Sequence, residues 1–206
     1  MSTPVALNPQ GVPVSTTKAP ESGGTIYINI LDEITMQKVK IIMATCAQLV
    51  AQKRPEILYF LFSSPGGQVG AGITLFNFLK GLPCKIVMHN TGSIDSIATV
   101  IFLAGDERYA ALGTSFHFHG VATTLAANTR LTASALIEMH SHLKEDETKI
   151  ATIVAKESNL TVQELRDLFK QGESKGLEFA LEKGLIQEVR HVEIPRNAQF
   201  LSLNIP

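Results

Sequence analysis

Three short segments, in chain order, carry residue types that could do chemistry together: Ser63-Ser64-Pro65-Gly66-Gly67, Gly92-Ser93-Ile94-Asp95-Ser96 and Phe116-His117-Phe118-His119-Gly120. An acyl-transfer reaction needs a nucleophile, a base to take its proton, and N–H donors aimed at the carbonyl oxygen as it becomes negative. The glycines can leave backbone amides unobstructed by any Cβ. Ser96 has the hydroxyl, and His119 can take its proton and return it to a leaving amine near neutral pH. Each segment also has a plainer reading. Pro-Gly-Gly after a strand makes a tight turn, and Ser93, Asp95 and Ser96 are all of types that cap a helix N-terminus. On a strand, His-x-His puts both imidazoles on one face and both phenylalanines on the other. Such a pair could hold a metal, but no third ligand group with characteristic spacing accompanies it, so a general base and no metal or cofactor are expected.

The elements that must position these residues follow from the apolar pattern. TIYINI (25–30) alternates as a half-buried strand does, and residues 34–52 carry apolar side chains at helical spacing. EILYFLFSS (56–64) is continuously apolar, which suits a central parallel strand covered on both faces. A helix over 71–79, a strand over 84–89 and a buried helix over 97–104 come next, so Gly66-Gly67 and Ser96 both stand at strand-to-helix junctions. YAAL and SFHFHGV are short strands, and residues 132–157 form a long amphipathic helix. Thr161 with Glu164 has capping-box spacing for a further helix to about Lys170. A short helix ending at Gly184 and a closing strand LIQEVRHVEI complete the pattern. The strand-helix alternation predicts an α/β fold with a mostly parallel sheet.

Composition narrows the function classes. At 206 residues and 45% hydrophobic content, one domain is expected, covering 25–206, after a Pro-, Ser- and Thr-rich flexible tail over 1–24. A net charge of −1, from 18 basic and 19 acidic residues, offers no footprint for nucleic acid. No apolar run approaches the roughly 20 residues of a membrane-spanning helix, so no membrane is expected either. The two cysteines, Cys46 and Cys84, are expected as free thiols, and the lack of a secretory-type N-terminus fits a cytoplasmic protein.

FSSPGGQVGAGITLFNFL, TGSIDSIATVIFLAG, LGTSFHFHGV and LEFALEKGLIQEV, in this order over about Ile26 to Val189, resemble the proteolytic subunit of the Clp protease. The resemblance implies the spiral of β-β-α units shared by the Clp and crotonase folds, with a long protruding helix. It implies a serine endopeptidase acting through an acyl-enzyme on Ser96, with His119 as base and the amides of Gly67 and Ile97 as oxyanion donors. The family's third catalytic residue, an aspartate, aligns with Gly172, so Glu173 beside it is the candidate to orient His119. The small residues that usually precede the serine are Ile94 and Asp95 here, and Gly120-Val121 replaces the usual Gln-Pro after the histidine. The implied partners are peptides or unfolded proteins as substrate, further copies of the chain in stacked rings joined through residues 132–157, and an ATP-driven unfoldase. Two other readings keep the fold: a non-catalytic structural subunit with a decayed triad, which Gly172 and Asp95 favour, and a crotonase-like acyl-CoA enzyme that would not need Ser96.

Overall fold

The computed structural model describes residues 23–203. Strand β1 (Gly23–Leu31) begins two residues ahead of the expected domain boundary, and the remainder of the expected tail lies outside the described residues. Helix α1 (Met36–Lys53) starts where the Thr35 hydroxyl accepts the Lys38 amide, and it buries Val39, Ile42 and Cys46 at helical spacing. Strand β2 (Pro55–Ser64) pairs parallel with β1 and buries Leu58, Phe60, Leu61 and Phe62, as its unbroken apolar run requires. Helix α2 (Val69–Lys80) returns the chain to strand β3 (Lys85–Asp95), parallel to β2.

Strand β3 runs six residues past the expected end at His89. The extension NTGSID reads as a turn in isolation. It stays extended because the ladder shifts register between Phe62 and Ser64 and then resumes at Ser64 opposite Ile94. Helix α3 (Ala98–Phe102) follows and is buried at every residue. Strands β4 (Glu107–Ala110) and β5 (Ser115–His117) both pair with β3, β4 with its first half and β5 with its last three residues.

Helix α4 (Ala133–Glu157) is capped by Thr132, and α5 (Val162–Gln171) has the expected capping box of Thr161 and Glu164. Then come β6 (Ser174–Lys175), α6 (Leu177–Glu182), β7 (Glu188–Val189) and β8 (Gln199–Ser202). The sheet order is β6-β5-β3-β2-β1-β8, with β4 beside β3 and β7 beside β4. The β5–β6 pair is antiparallel and the other pairings are parallel, giving the expected mostly parallel α/β architecture. The expected closing strand over 185–194 reduces to β7, because the Arg190 carbonyl leaves the ladder to accept from His89 Nε2.

The core fills with Phe60, Phe62, Phe102 and Phe116, the last two edge-to-face at 5.4 Å. Arg108 is buried and donates to the carbonyls of Gly105, Gly184 and Leu185, tying β4 to the segment after α6. Cys46 and Cys84 are free; burial pushes the Cys46 thiol up to about 12, where it is inert. No helix among the described residues is long and apolar enough to cross a membrane.

Candidate active site

Ser96 sits in the one-residue gap between the end of β3 and the N-cap Ile97 of α3, with φ of 55°. A non-glycine residue in the left-handed region costs of order 1–2 kcal/mol and persists only where its surroundings enforce it. Here the Ser96 amide donates to the His117 carbonyl at 2.8 Å, and the Ser96 carbonyl accepts the Thr99 amide at 3.1 Å. The capping role open to Ser93, Asp95 and Ser96 is not taken by any of them. The N-cap is Ile97, without a side-chain cap; Asp95 Oδ2 accepts from the Ser93 hydroxyl at 3.0 Å; and the Ser96 hydroxyl has no hydrogen bond among the described residues. The second oxygen of Asp95 is buried without a partner among them.

The turn after β2 packs directly on this elbow. Gly66, at φ 89°, is held by donation from the Ile34 amide to its carbonyl and by its own amide on Ser64 Oγ. Gly67 lies against the Ile34 backbone so closely that a Cβ would overlap the Ile34 carbonyl. The Gly67 and Ile97 amides have no acceptor among the described residues. They are the two donors that an oxyanion needs in chemical kind.

Phe116 and Phe118 are buried, while His117 and His119 are half-buried with ring centroids 5.3 Å apart, so the expected two-faced alternation continues past the strand's end. His119 Nδ1 lies 2.8 Å from the Gly120 carbonyl oxygen. A carbonyl can only accept, so Nδ1 carries a proton, and in the neutral ring the lone pair is then on Nε2. His117 Nδ1 meets the Ser174 hydroxyl at 3.2 Å. The loop beyond is fixed by the Gly120 amide on the Phe169 carbonyl and the Val121 amide on Glu147 Oε1.

Glu173 comes close to the histidine strand only through its backbone, whose carbonyl accepts the Phe118 amide at 3.4 Å. Its exposed carboxylate is on Lys175 at 2.8 Å, an ion pair that holds its pKa below the usual range. The structure therefore does not bring the Glu173 carboxylate to His119. Gly172, at φ 62°, closes α5 as its left-handed cap.

Ser96, His119 and Gly67 line one cavity of about 890 Å³, whose other wall is α4. They share it without a hydrogen bond between Ser96 and His119, an arrangement common in unliganded sites. A serine hydroxyl at a strand-to-helix elbow, an imidazole protonated on Nδ1 and two unpaired amides are groups of the kinds that acyl transfer uses.

The chain matches the Clp protease family over residues 24–193. It belongs to the Clp protease family. Among curated proteins it is 24% identical over 157 residues to the ATP-dependent Clp protease proteolytic subunit 2 of Pseudomonas aeruginosa, covering 71% of this chain and 74% of that one. It is 23% identical over 168 residues to the subunit 2 of Chlamydia trachomatis, covering 79% of each. Among solved structures it resembles a ClpP1 point mutant from Listeria monocytogenes, with a TM-score of 0.68 and 17% identity over 81% of this chain and 91% of that one. The fold is thus the Clp protease fold, in a divergent member.

Within that family frame, three features of the site lie beyond the residues singled out from the sequence. The Gly120 carbonyl that sets the His119 tautomer is backbone and carries no signal in residue type. Ser174 beside His117 depends on a two-residue strand too short to show a period. The α4 wall of the cavity brings Glu138, His142 and Asp146, and their four-residue spacing is a signal the sequence does carry.

Proposed function

We propose that this chain is a serine peptidase subunit that cleaves peptide bonds through an acyl-enzyme on Ser96. The observation that carries the reading is Ser96 held at positive φ with an uncommitted hydroxyl, in one cavity with a His119 whose Nδ1 proton is fixed by Gly120. Ser96 Oγ attacks the peptide carbonyl carbon while His119 Nε2 takes its proton. The oxyanion collects the N–H groups of Gly67 and Ile97. As the C–N bond breaks, His119 returns the proton to the leaving amine, and water then hydrolyses the ester with the same base. A backbone carbonyl in place of a carboxylate behind the histidine keeps the tautomer but brings no charge to stabilise the imidazolium, which supports a slow enzyme. Glu173 can orient His119 only by leaving Lys175.

The relatives' names support an ATP-driven partner and peptide or unfolded-protein substrates. Self-association in stacked rings is supported by the exposed apolar side chains Leu131, Leu136 and Ile137 at and before the start of α4. The two free thiols suit a reducing cytoplasm.

A second reading, a non-catalytic subunit of the same assembly, is favoured by the absence of any carboxylate within ion-pair distance of His119 among the described residues. Labelling with a fluorophosphonate probe, followed by mass spectrometry of the Ser96 peptide, decides between them. Labelling that disappears in His119→Ala supports the peptidase, with Ser96→Ala expected to lose hydrolysis and keep its oligomer. A folded oligomer that does not label is the scaffold.

A further inference from the structure

Helix α4 gives the catalytic cavity a charged wall. Glu138, His142 and Asp146 follow one another at four-residue spacing on a single helix face, and Glu33 adds a carboxylate from the loop after β1. No lysine or arginine among the described residues lines this cavity. Of the two α4 carboxylates, Glu138 is only weakly compensated and Asp146 is ion-paired with a residue outside the cavity. Glu138 faces His142 Nε2 at 3.8 Å, and Asp146 meets Lys149, which lies outside the lining, at 3.1 Å. The cations sit elsewhere: Lys144, Arg166 and Lys170 line a separate groove of about 650 Å³ between α4 and α5. Of these cations only Lys144 is on α4, where Glu147 lines the same groove beside it, whereas toward Ser96 helix α4 presents Glu138 and Asp146 with no lysine or arginine.

A cavity lined by one sign of charge focuses its field and concentrates ligands of the opposite sign. That a peptide is the ligand is an independent point, from the unpaired Gly67 amide and the free Ser96 hydroxyl at the same cavity, with the unpaired Ile97 amide next in sequence to Ser96. We propose, resting on the peptidase reading, that Glu138 and Asp146 select a lysine or arginine side chain of the peptide near the scissile bond. The two carboxylates are specificity determinants that touch the substrate away from the reacting atoms, and Glu33 strengthens their field.

The test measures binding apart from cleavage. Full-length Ser96→Ala protein is titrated into two fluorescent peptides, N-acetylated and C-amidated, one with lysine and the other with Nε-acetyl-lysine at the same position, so that they differ by one charge. The lysine peptide is expected to bind roughly 5- to 10-fold more tightly at low salt, the yield of two partly exposed ion pairs. The preference should collapse near 1 M salt, where the screening length is about 3 Å. In the same background, Glu138→Gln with Asp146→Asn should erase it, and Lys144→Gln should not. Equal binding of the two peptides, no binding of either, or a preference that survives the double substitution overturns the proposal. If the preference holds but the wild-type chain cleaves neither peptide, the peptidase reading falls and the selection of basic side chains stands.

Discussion

A Cβ on Gly66 would stand 2.9 Å from the Ser96 Cβ and 2.7 Å from the Asp95 carbonyl oxygen. The turn that ends β2 and the elbow that ends β3 are therefore one packed unit, and Gly66 is the residue that lets them touch. Gly66→Ala is expected to cost about 2–4 kcal/mol from collision and left-handed strain together, and to abolish probe labelling of Ser96. Gly113, at φ 82° with nothing near its Cβ position, is the control. Its alanine variant carries the strain alone, about 1–2 kcal/mol, and keeps labelling. Urea denaturation of both reads the difference, and equal losses would mean that contact between the two turns is unimportant.

Ser96 itself holds strain that glycine would relax. Ser96→Ala keeps the side chain's steric conflict at φ 55°, whereas Ser96→Gly removes it. The glycine variant should match or exceed the alanine variant in stability, by up to about 1 kcal/mol, because the relief outweighs the extra entropy of the unfolded chain. Both should fail to label. A glycine variant clearly less stable than the alanine one would show that the elbow is unstrained.

Legibility in the sequence follows how local each determinant is. Strands β1 and β2 show in the alternation of TIYINI and the unbroken run of EILYFLFSS, and the start of α5 shows in Thr161 and Glu164, because these depend on a few neighbouring residues. The extension of β3 through NTGSID does not show, since it depends on a register shift against β2 and on pairing with β5. Strands β6 and β8 span two and four residues, too few to carry a period. In the site, Ser96, His119 and Gly67 are legible as types at junctions and meet in one cavity. Glu173 is legible only as a neighbour of Gly172. Its carboxylate follows Lys175, two positions on, a competition that residue type does not rank.

That pairing makes a direct prediction for Glu173. With its carboxylate on Lys175, Glu173→Gln should change the rate of Ser96 labelling by no more than about twofold, whereas loss of a true triad carboxylate costs about four orders of magnitude. Lys175→Gln tests the reverse case, by freeing the carboxylate. If Glu173→Gln abolishes labelling, the Lys175 pair breaks in the working enzyme and Glu173 orients His119 there.

His89 is expected to make the stability of the fold depend on pH near neutrality. It is fully buried, its Nε2 donates to the Arg190 carbonyl at 3.0 Å, and its Nδ1 accepts the Tyr59 hydroxyl at 2.7 Å. The Tyr109 ring also flanks it, and the Arg190 guanidinium stacks on that ring at 3.4 Å. Burial, with the Arg190 charge adding to it, holds the His89 pKa below the ordinary 6.5. The unfolded chain thus takes up a proton near 6.5 that the folded chain refuses, so unfolding free energy falls as the pH drops through that value. Above it both states hold the ring neutral and the dependence disappears. Between about pH 7.5 and about pH 5.5 this one group should therefore lower the unfolding free energy. Urea unfolding at the two pH values checks it against His89→Gln, whose lower stability should be the flatter of the two. The same pH difference in the variant as in the wild type would place the titration on another group.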